Sequence, residues 1–150
     1  MLVAYDARPL SKNKAGIGQY ARYLLEHIIT NNSTINLILC SNKEIVFEKN
    51  NRIKLSGVSS YLWKINSNLW FQLKLPIILK KHMVDLFHGT MSLIPVLSNV
   101  PSIITIYDLV LEIFPETMHW KNWLPLKILM KASANKASRI IAISENTKKD

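Results

Sequence analysis

Apolar residues follow two rhythms along this chain, and the alternation between them predicts its elements. Leu2-Val3-Ala4-Tyr5 is a short apolar run that stops at Asp6, the pattern of a buried strand. After a polar stretch, Ala7 to Ala15, the spacing changes. Ile17, Tyr20 with Ala21, Leu24 and Ile28 recur every three or four residues, which predicts a helix opening at Gly16. Asn31-Asn32-Ser33 ends it, and Ile35 to Cys40 reads as a second strand. A weaker third strand is predicted over Arg52 to Val58. Leu62, Ile65, Leu69, Leu73 and Ile77 form a helical stripe expected to cover the sheet, with Pro76 kinking or splitting it. Val84 to His88, Ser102 to Ile106 and Arg139 to Ile143 are further strands, with a helix from about Trp120 to Ala137 before the last. Ser144-Glu145 then reads as an N-cap followed by an acid in the first turn.

Strands apolar on both faces, alternating with helices, predict an α/β domain: a Rossmann-like parallel sheet with helices on both faces. Residues 1–150 read as one such domain. The helix capped at Ser144 receives only six more residues, so the sequence reads as the front of a longer protein.

Composition narrows the setting. The chain is 49% hydrophobic, which supports a packed core and excludes a disordered tail. Cys40 stands alone and fits a reducing, cytoplasmic compartment; zinc-ribbon and iron–sulfur readings fail with it. The apolar start is too short for a signal peptide, and no apolar run approaches the ~20 residues of a membrane-spanning helix. Nineteen Lys and Arg against ten acids give a net charge of +9, which attracts polyanions. The excess falls on two helical segments, Tyr61 to His82, which holds no acid, and His119 to Asp150.

In an open parallel sheet, ligands bind beyond the carboxyl ends of the strands, where strand order reverses. Polar residues and glycines gather there in this sequence. Asp6 and the Gly16-Ile17-Gly18 loop follow the first strand, His88-Gly89-Thr90 the fourth, Tyr107-Asp108 the fifth and Ser144-Glu145 the last. Gly16 and Gly18 at a helix start would expose backbone N–H groups to a phosphate, or form a plain turn with a glycine N-cap. Asp108, expected at the sheet edge and partly desolvated, would accept a proton, hold a sugar hydroxyl or cap a short turn. His88 would line the cleft or bond a backbone carbonyl. His27, His82, His88 and His119 lack ligand spacing and no carboxylate cluster joins them, so no metal is expected; no other cofactor is expected either. A nicotinamide site is disfavoured: Gly16-x-Gly18-x-x-Ala21 stands about ten residues after its strand, and Cys40-Ser41 replaces the acid due at the end of the next.

The ordered set Asp6-Ala7-Arg8, Gly16-Ile17-Gly18-Gln19-Tyr20, Asp85-Leu86-Phe87-His88-Gly89, Thr105-Ile106-Tyr107-Asp108-Leu109 with Phe114-Pro115-Glu116, and Arg139 to Lys148 resembles one family. The chain is similar to the N-terminal domain of retaining glycosyltransferases of the GT-B, family-4 (group 1) type, particularly the mannosyltransferase-like members. The resemblance implies transfer of a sugar from a nucleotide-sugar donor to a glycan or lipid-linked acceptor, without metal. It also implies a C-terminal donor-binding domain beyond this chain, so residues 1–150 alone are expected to be inactive. Gly16 and Gly18 match the loop approaching the donor diphosphate, and Asp108 the acid of the family's His-Asp pair. Tyr107 replaces the usual His, with His88 as a partial substitute; a tyrosine is a poor base near neutral pH. Gly89, Thr90, Ser144 and Glu145 fall on the acceptor side of the cleft.

Two alternatives stand beside this reading: a basic nucleic-acid-binding module, which lacks any recognisable motif, and a non-catalytic remnant of the fold. Nucleic acid is therefore not an expected partner. Tyr61 to Lys64, Leu69 to Lys74 and His119 to Trp123 mix aromatics with lysine, a mixture suited to peripheral contact with an anionic membrane at its inner face. The same tryptophans can instead flank the core.

Overall fold

The computed structural model describes residues 1–11, 16–45, 47, 53–56 and 67–150. Six strands, β1 (Leu2–Asp6), β2 (Asn36–Cys40), β3 (Ile53–Ser56), β4 (Leu86–Gly89), β5 (Ser102–Ile106) and β6 (Arg139–Ala142), form one sheet. Their order is β3-β2-β1-β4-β5-β6, and every pairing is parallel. This is the doubly wound Rossmann-like arrangement that the alternation predicts, with strand order reversing between β1 and β4.

Side-chain alternation divides the core in two. Val3 and Tyr5 of β1, with Leu37 and Leu39 of β2, pack under α1 (Ile17–Asn31) through Ala21 and Leu25. Ala4, Ile38, Phe87, Ile104 and Ile106 face the other way. There they meet Trp70, Phe71, Leu75, Leu79 and Met130, carried by a second helical layer. That layer comprises α2 (Ser67–Leu69), a π-helical segment (Trp70–Lys74), α3 (Leu75–Lys81) and α5 (Trp120–Lys136); the short α4 (Val110–Ile113) and α6 (Glu145–Lys149) complete the set. Fully burying one large apolar side chain in such a layer contributes about 1.5–3 kcal/mol.

The predicted stripe does not cover the sheet. Leu69, Leu73 and Ile77 are 47%, 45% and 60% exposed, whereas Trp70, Phe71, Leu75 and Leu79 are buried. This segment is apolar on more than one side, and the face with two aromatic rings removes more surface from water. Pro76 does not split the helix: it stands in the first turn of α3, directly after the π segment, where its missing N–H is tolerated. Leu62 and Ile65, like Arg52 and Val58 of the weak strand, lie outside the described residues.

The fourth strand is shorter than predicted. Val84 and Asp85 precede it, and the Asp85 carboxylate accepts the Leu2 amide at 2.7 Å, fastening the start of β1. At the far edge, β6 is thinly covered: Ile140 and Ile141 are exposed, as is Ile143 just beyond the strand.

Candidate functional site at the carboxyl ends of the strands

Strand order reverses between β1 and β4, and two buried polar groups gather at the carboxyl ends of these strands from opposite faces of the sheet. On the α3 side, Asp6 ends β1 with its side chain fully buried. Arg8 follows after one residue and bonds it in a bidentate fork, Nε to Oδ1 at 2.8 Å and Nη2 to Oδ2 at 2.7 Å. The guanidinium lies 3.7 Å from the centre of the Phe71 ring. Both its charge and its plane are thereby fixed.

On the α1 side, His88 Nε2 and Thr105 Oγ1 are 2.9 Å apart, and Tyr20 Oη stands 3.2 Å from the same hydroxyl. The Tyr5 ring meets the imidazole edge-on. Burial pushes the His88 pKa down to about 4 against the opposing pull of Asp6, so the ring is neutral at pH 7. His88 thus bonds a side-chain hydroxyl, neither open to the cleft nor tied to a backbone carbonyl.

Thr90 and Tyr107 bind these halves together. Thr90 donates its hydroxyl to the Asp6 carbonyl at 2.7 Å, and its own carbonyl accepts Tyr107 Oη at 2.8 Å. Thr90 is therefore a buried brace, not a free ligand group. Burial holds the Tyr107 phenol above its ordinary pKa, and its ring packs edge-on against Tyr20. Gly89 is explained by packing: a Cβ there would run into the Leu93 carbonyl oxygen.

Asp108 differs from its expectation. It is exposed, not desolvated, and lies two residues beyond the end of β5. Its Oδ1 accepts the Val110 amide at 3.1 Å, capping the turn into α4, and the residue also lines a cavity of about 340 Å³. Gly16 adopts φ +47°, a left-handed value that favours glycine, and caps α1 without a side chain; Gly18 is buried in the first turn. No acid lies in that turn. Ser144 caps α6 through the Thr147 amide at 3.1 Å, and Thr147 in turn donates to the Tyr107 carbonyl at 3.1 Å. Glu145 is exposed beside a second cavity, of about 670 Å³, along β6.

The structure thus gathers Asp6, His88, Thr90 and Tyr107 into one linked group and leaves Asp108, Ser144 and Glu145 on the outer rim. Three contributors went unassigned in the sequence reading: Arg8, Thr105 and Tyr20. The Asp6-x-Arg8 spacing after a strand was a usable signal for the first. Thr105 and Tyr20 become visible only once the register of β4 against β5 is known. Trp70 belongs to the core, Trp120 is exposed, and Trp123 is half-buried with its indole donating to the Leu111 carbonyl at 2.7 Å. Tyr61 to Lys64 lie outside the described residues. Among the described residues no three His, Cys, Asp or Glu side chains are grouped as a metal site would need. Nor is any described helix long and apolar enough to cross a membrane.

No curated protein matches the chain. The profile of Glycosyltransferase Family 4 matches residues 15–150, a span that takes in α1, five of the six strands and every rim residue named above except Asp6 and Arg8. A parallel sheet reversing its order at a buried polar cluster, carried by a chain matched over most of its length, leads to one assignment: the chain belongs to Glycosyltransferase Family 4.

Proposed function

We propose that this domain receives the acceptor in a retaining, mannosyltransferase-like transfer of a hexosyl group from a nucleotide-sugar donor, and that a second domain grips the donor. The observation that carries the reading is the convergence at the carboxyl ends of β1 and β4 of the Asp6–Arg8 pair, the His88–Thr105–Tyr20 chain and the glycine-capped amino end of α1. The helix dipole at that end, uncapped by any side chain among the described residues, favours a diphosphate, and no acid in the first turn opposes it. Asp108, the exposed carboxylate of the rim, orients the acceptor hydroxyl and takes up its proton. The acceptor oxygen bonds the anomeric carbon as the carbon–oxygen bond to the diphosphate breaks, its electron pair leaving with the diphosphate. His88, neutral and tied to Thr105, positions the wall and takes no part in the proton transfer. The exposed isoleucines of β6 support packing against further structure.

Nucleotide-sugar turnover tests this. Residues 1–150 alone should transfer nothing, and addition of a donor-binding domain should restore transfer. Asp108→Asn in the active protein should lower turnover at least about 100-fold with the fold intact. Turnover by residues 1–150 alone would overturn the two-domain reading, and a fully active Asp108→Asn would remove that residue from the chemistry.

The buried, free Cys40 suits a reducing cytoplasm. We also infer peripheral contact with an anionic membrane, favoured by Leu69, Leu73 and Ile77, which lie exposed on one helical face beside Lys74, Lys80 and Lys81. Co-sedimentation with anionic but not neutral vesicles, weakened by salt and by changing those lysines to Gln, is the expected result. Equal recovery in the supernatant with both lipids would exclude it.

A further inference from the structure

The cavity beside Asp108 has a composition unlike the buried polar cluster at the ends of β1 and β4. Three methionines, Met91, Met118 and Met130, line it with Leu111 and Leu126, and Asp108 is its charged member. It runs from exposed Asp108 to Met130, which is buried on α5. Its volume, about 340 Å³, falls at the small end of ligand pockets, which begin at roughly 300 Å³ and combine apolar walls with a few placed polar groups. That suits one ring or a short chain better than a whole glycan. Methionine side chains adapt to irregular apolar shapes, so such a wall accepts a tail without demanding one outline.

The polar end is equally defined. Asp108 spends Oδ1 on the Val110 amide, and Oδ2 has no partner among the described residues. A second observation marks the wall as built. Ser92, also lining the cavity, is held at φ +54°, with its amide and its hydroxyl both donating to the Thr105 carbonyl at 3.2 and 3.3 Å. Left-handed backbone is uncommon for serine and persists where surrounding bonds impose it. Three residues earlier, Gly89 permits the close approach of the Leu93 carbonyl that brings this segment back over β4. The loop from β4 is thereby clamped against the end of β5, which fixes one side of the cavity.

We propose that this cavity takes the apolar portion of the acceptor, an alkyl or aryl group, while Asp108 holds a hydroxyl at its mouth. The acceptor is then a hydroxyl-bearing head joined to an apolar group, whether a lipid or a smaller aglycone. This rests on the transferase reading for the word acceptor, but the binding does not depend on turnover.

The test compares octyl β-glucoside, kept below its micelle concentration, with methyl β-glucoside, binding each to the purified chain by calorimetry. The heads are identical and only the tails differ. Octyl glucoside should bind at least tenfold more tightly. Met118→Trp, which fills the cavity from a partly exposed position, should bring it down to the methyl glucoside level, and Met91→Trp provides the same obstruction if the first variant folds poorly. Asp108→Ala should weaken octyl glucoside several-fold. Equal affinity for the two glucosides would overturn the proposal. So would octyl glucoside binding unaffected by either tryptophan, which would place the tail elsewhere, or by Asp108→Ala, which would uncouple tail from hydroxyl. Tail-dependent binding in a protein that transfers no sugar under any condition would leave the cavity standing and remove the transferase reading.

Discussion

Separating Asp6 from Arg8 is the most direct probe of this polar cluster, because both ions are buried. Asp6 is fully buried and Arg8 is 8% exposed, so removing one leaves the other uncompensated in the interior. Asp6→Asn leaves a guanidinium stacked on Phe71 without a counter-ion, and Arg8→Met leaves a carboxylate whose remaining contact is the long Arg8 amide bond at 3.3 Å. Breaking a buried pair from one side costs about 3–5 kcal/mol. For a chain of this size that lowers the melting temperature by roughly 10 °C, at ~2–4 °C per kcal/mol. The double variant Asp6→Asn/Arg8→Met removes both charges and should be less destabilised than the sum of the singles by about 2 kcal/mol or more. Urea unfolding at pH 7 followed by far-ultraviolet circular dichroism measures this, provided the slopes agree among variants. Glu112→Gln is the internal control: its bond to Lys127 joins side chains 38% and 31% exposed, and its loss should cost less than about 1 kcal/mol. Single losses at Asp6 or Arg8 as small as the control's, or strictly additive losses, would show the pair to be solvated and refute the argument.

His88 should impart a pH dependence of definite sign. Its folded pKa is lowered to about 4 from 6.5, so between those values the unfolded chain binds more protons and stability falls as the pH drops. The full span amounts to about 3 kcal/mol; urea midpoints at pH 7 and 4.5 should differ in the native chain and converge in His88→Gln, and an unchanged difference would exclude His88 as its source. Gly89→Ala should cost about 3 kcal/mol by thermal unfolding, the upper range for overpacking, since the obstacle is a backbone carbonyl. Gly16→Ala meets open space and should cost only about 1 kcal/mol from its left-handed backbone; equal losses at the two glycines would contradict the packing account.

The sequence by itself determined the order of strands and helices, because burial on both faces of a strand or along one side of a helix is written into the spacing of apolar residues. It determined the rim as well: Asp6, Gly16, His88 and Asp108 each fall at or beyond the carboxyl end of a strand, and parallel strands bring all such ends to one side. Tertiary structure decided what spacing leaves degenerate. The Leu69–Leu79 segment carries two apolar faces, and only packing against the sheet selected Trp70, Phe71, Leu75 and Leu79 over Leu69, Leu73 and Ile77. His88 reads alike as a cleft residue or a braced one until the register of β4 on β5 sets Thr105 beside it. Asp108 and Asp6 look equivalent at the ends of apolar strands, yet one is exposed and the other sealed against Arg8. The difference arises because Arg8 and Phe71 close over the Asp6 carboxylate, whereas Asp108, among the described residues, bonds only the Val110 amide in its turn; burial of a charge is set by neighbours that spacing does not show.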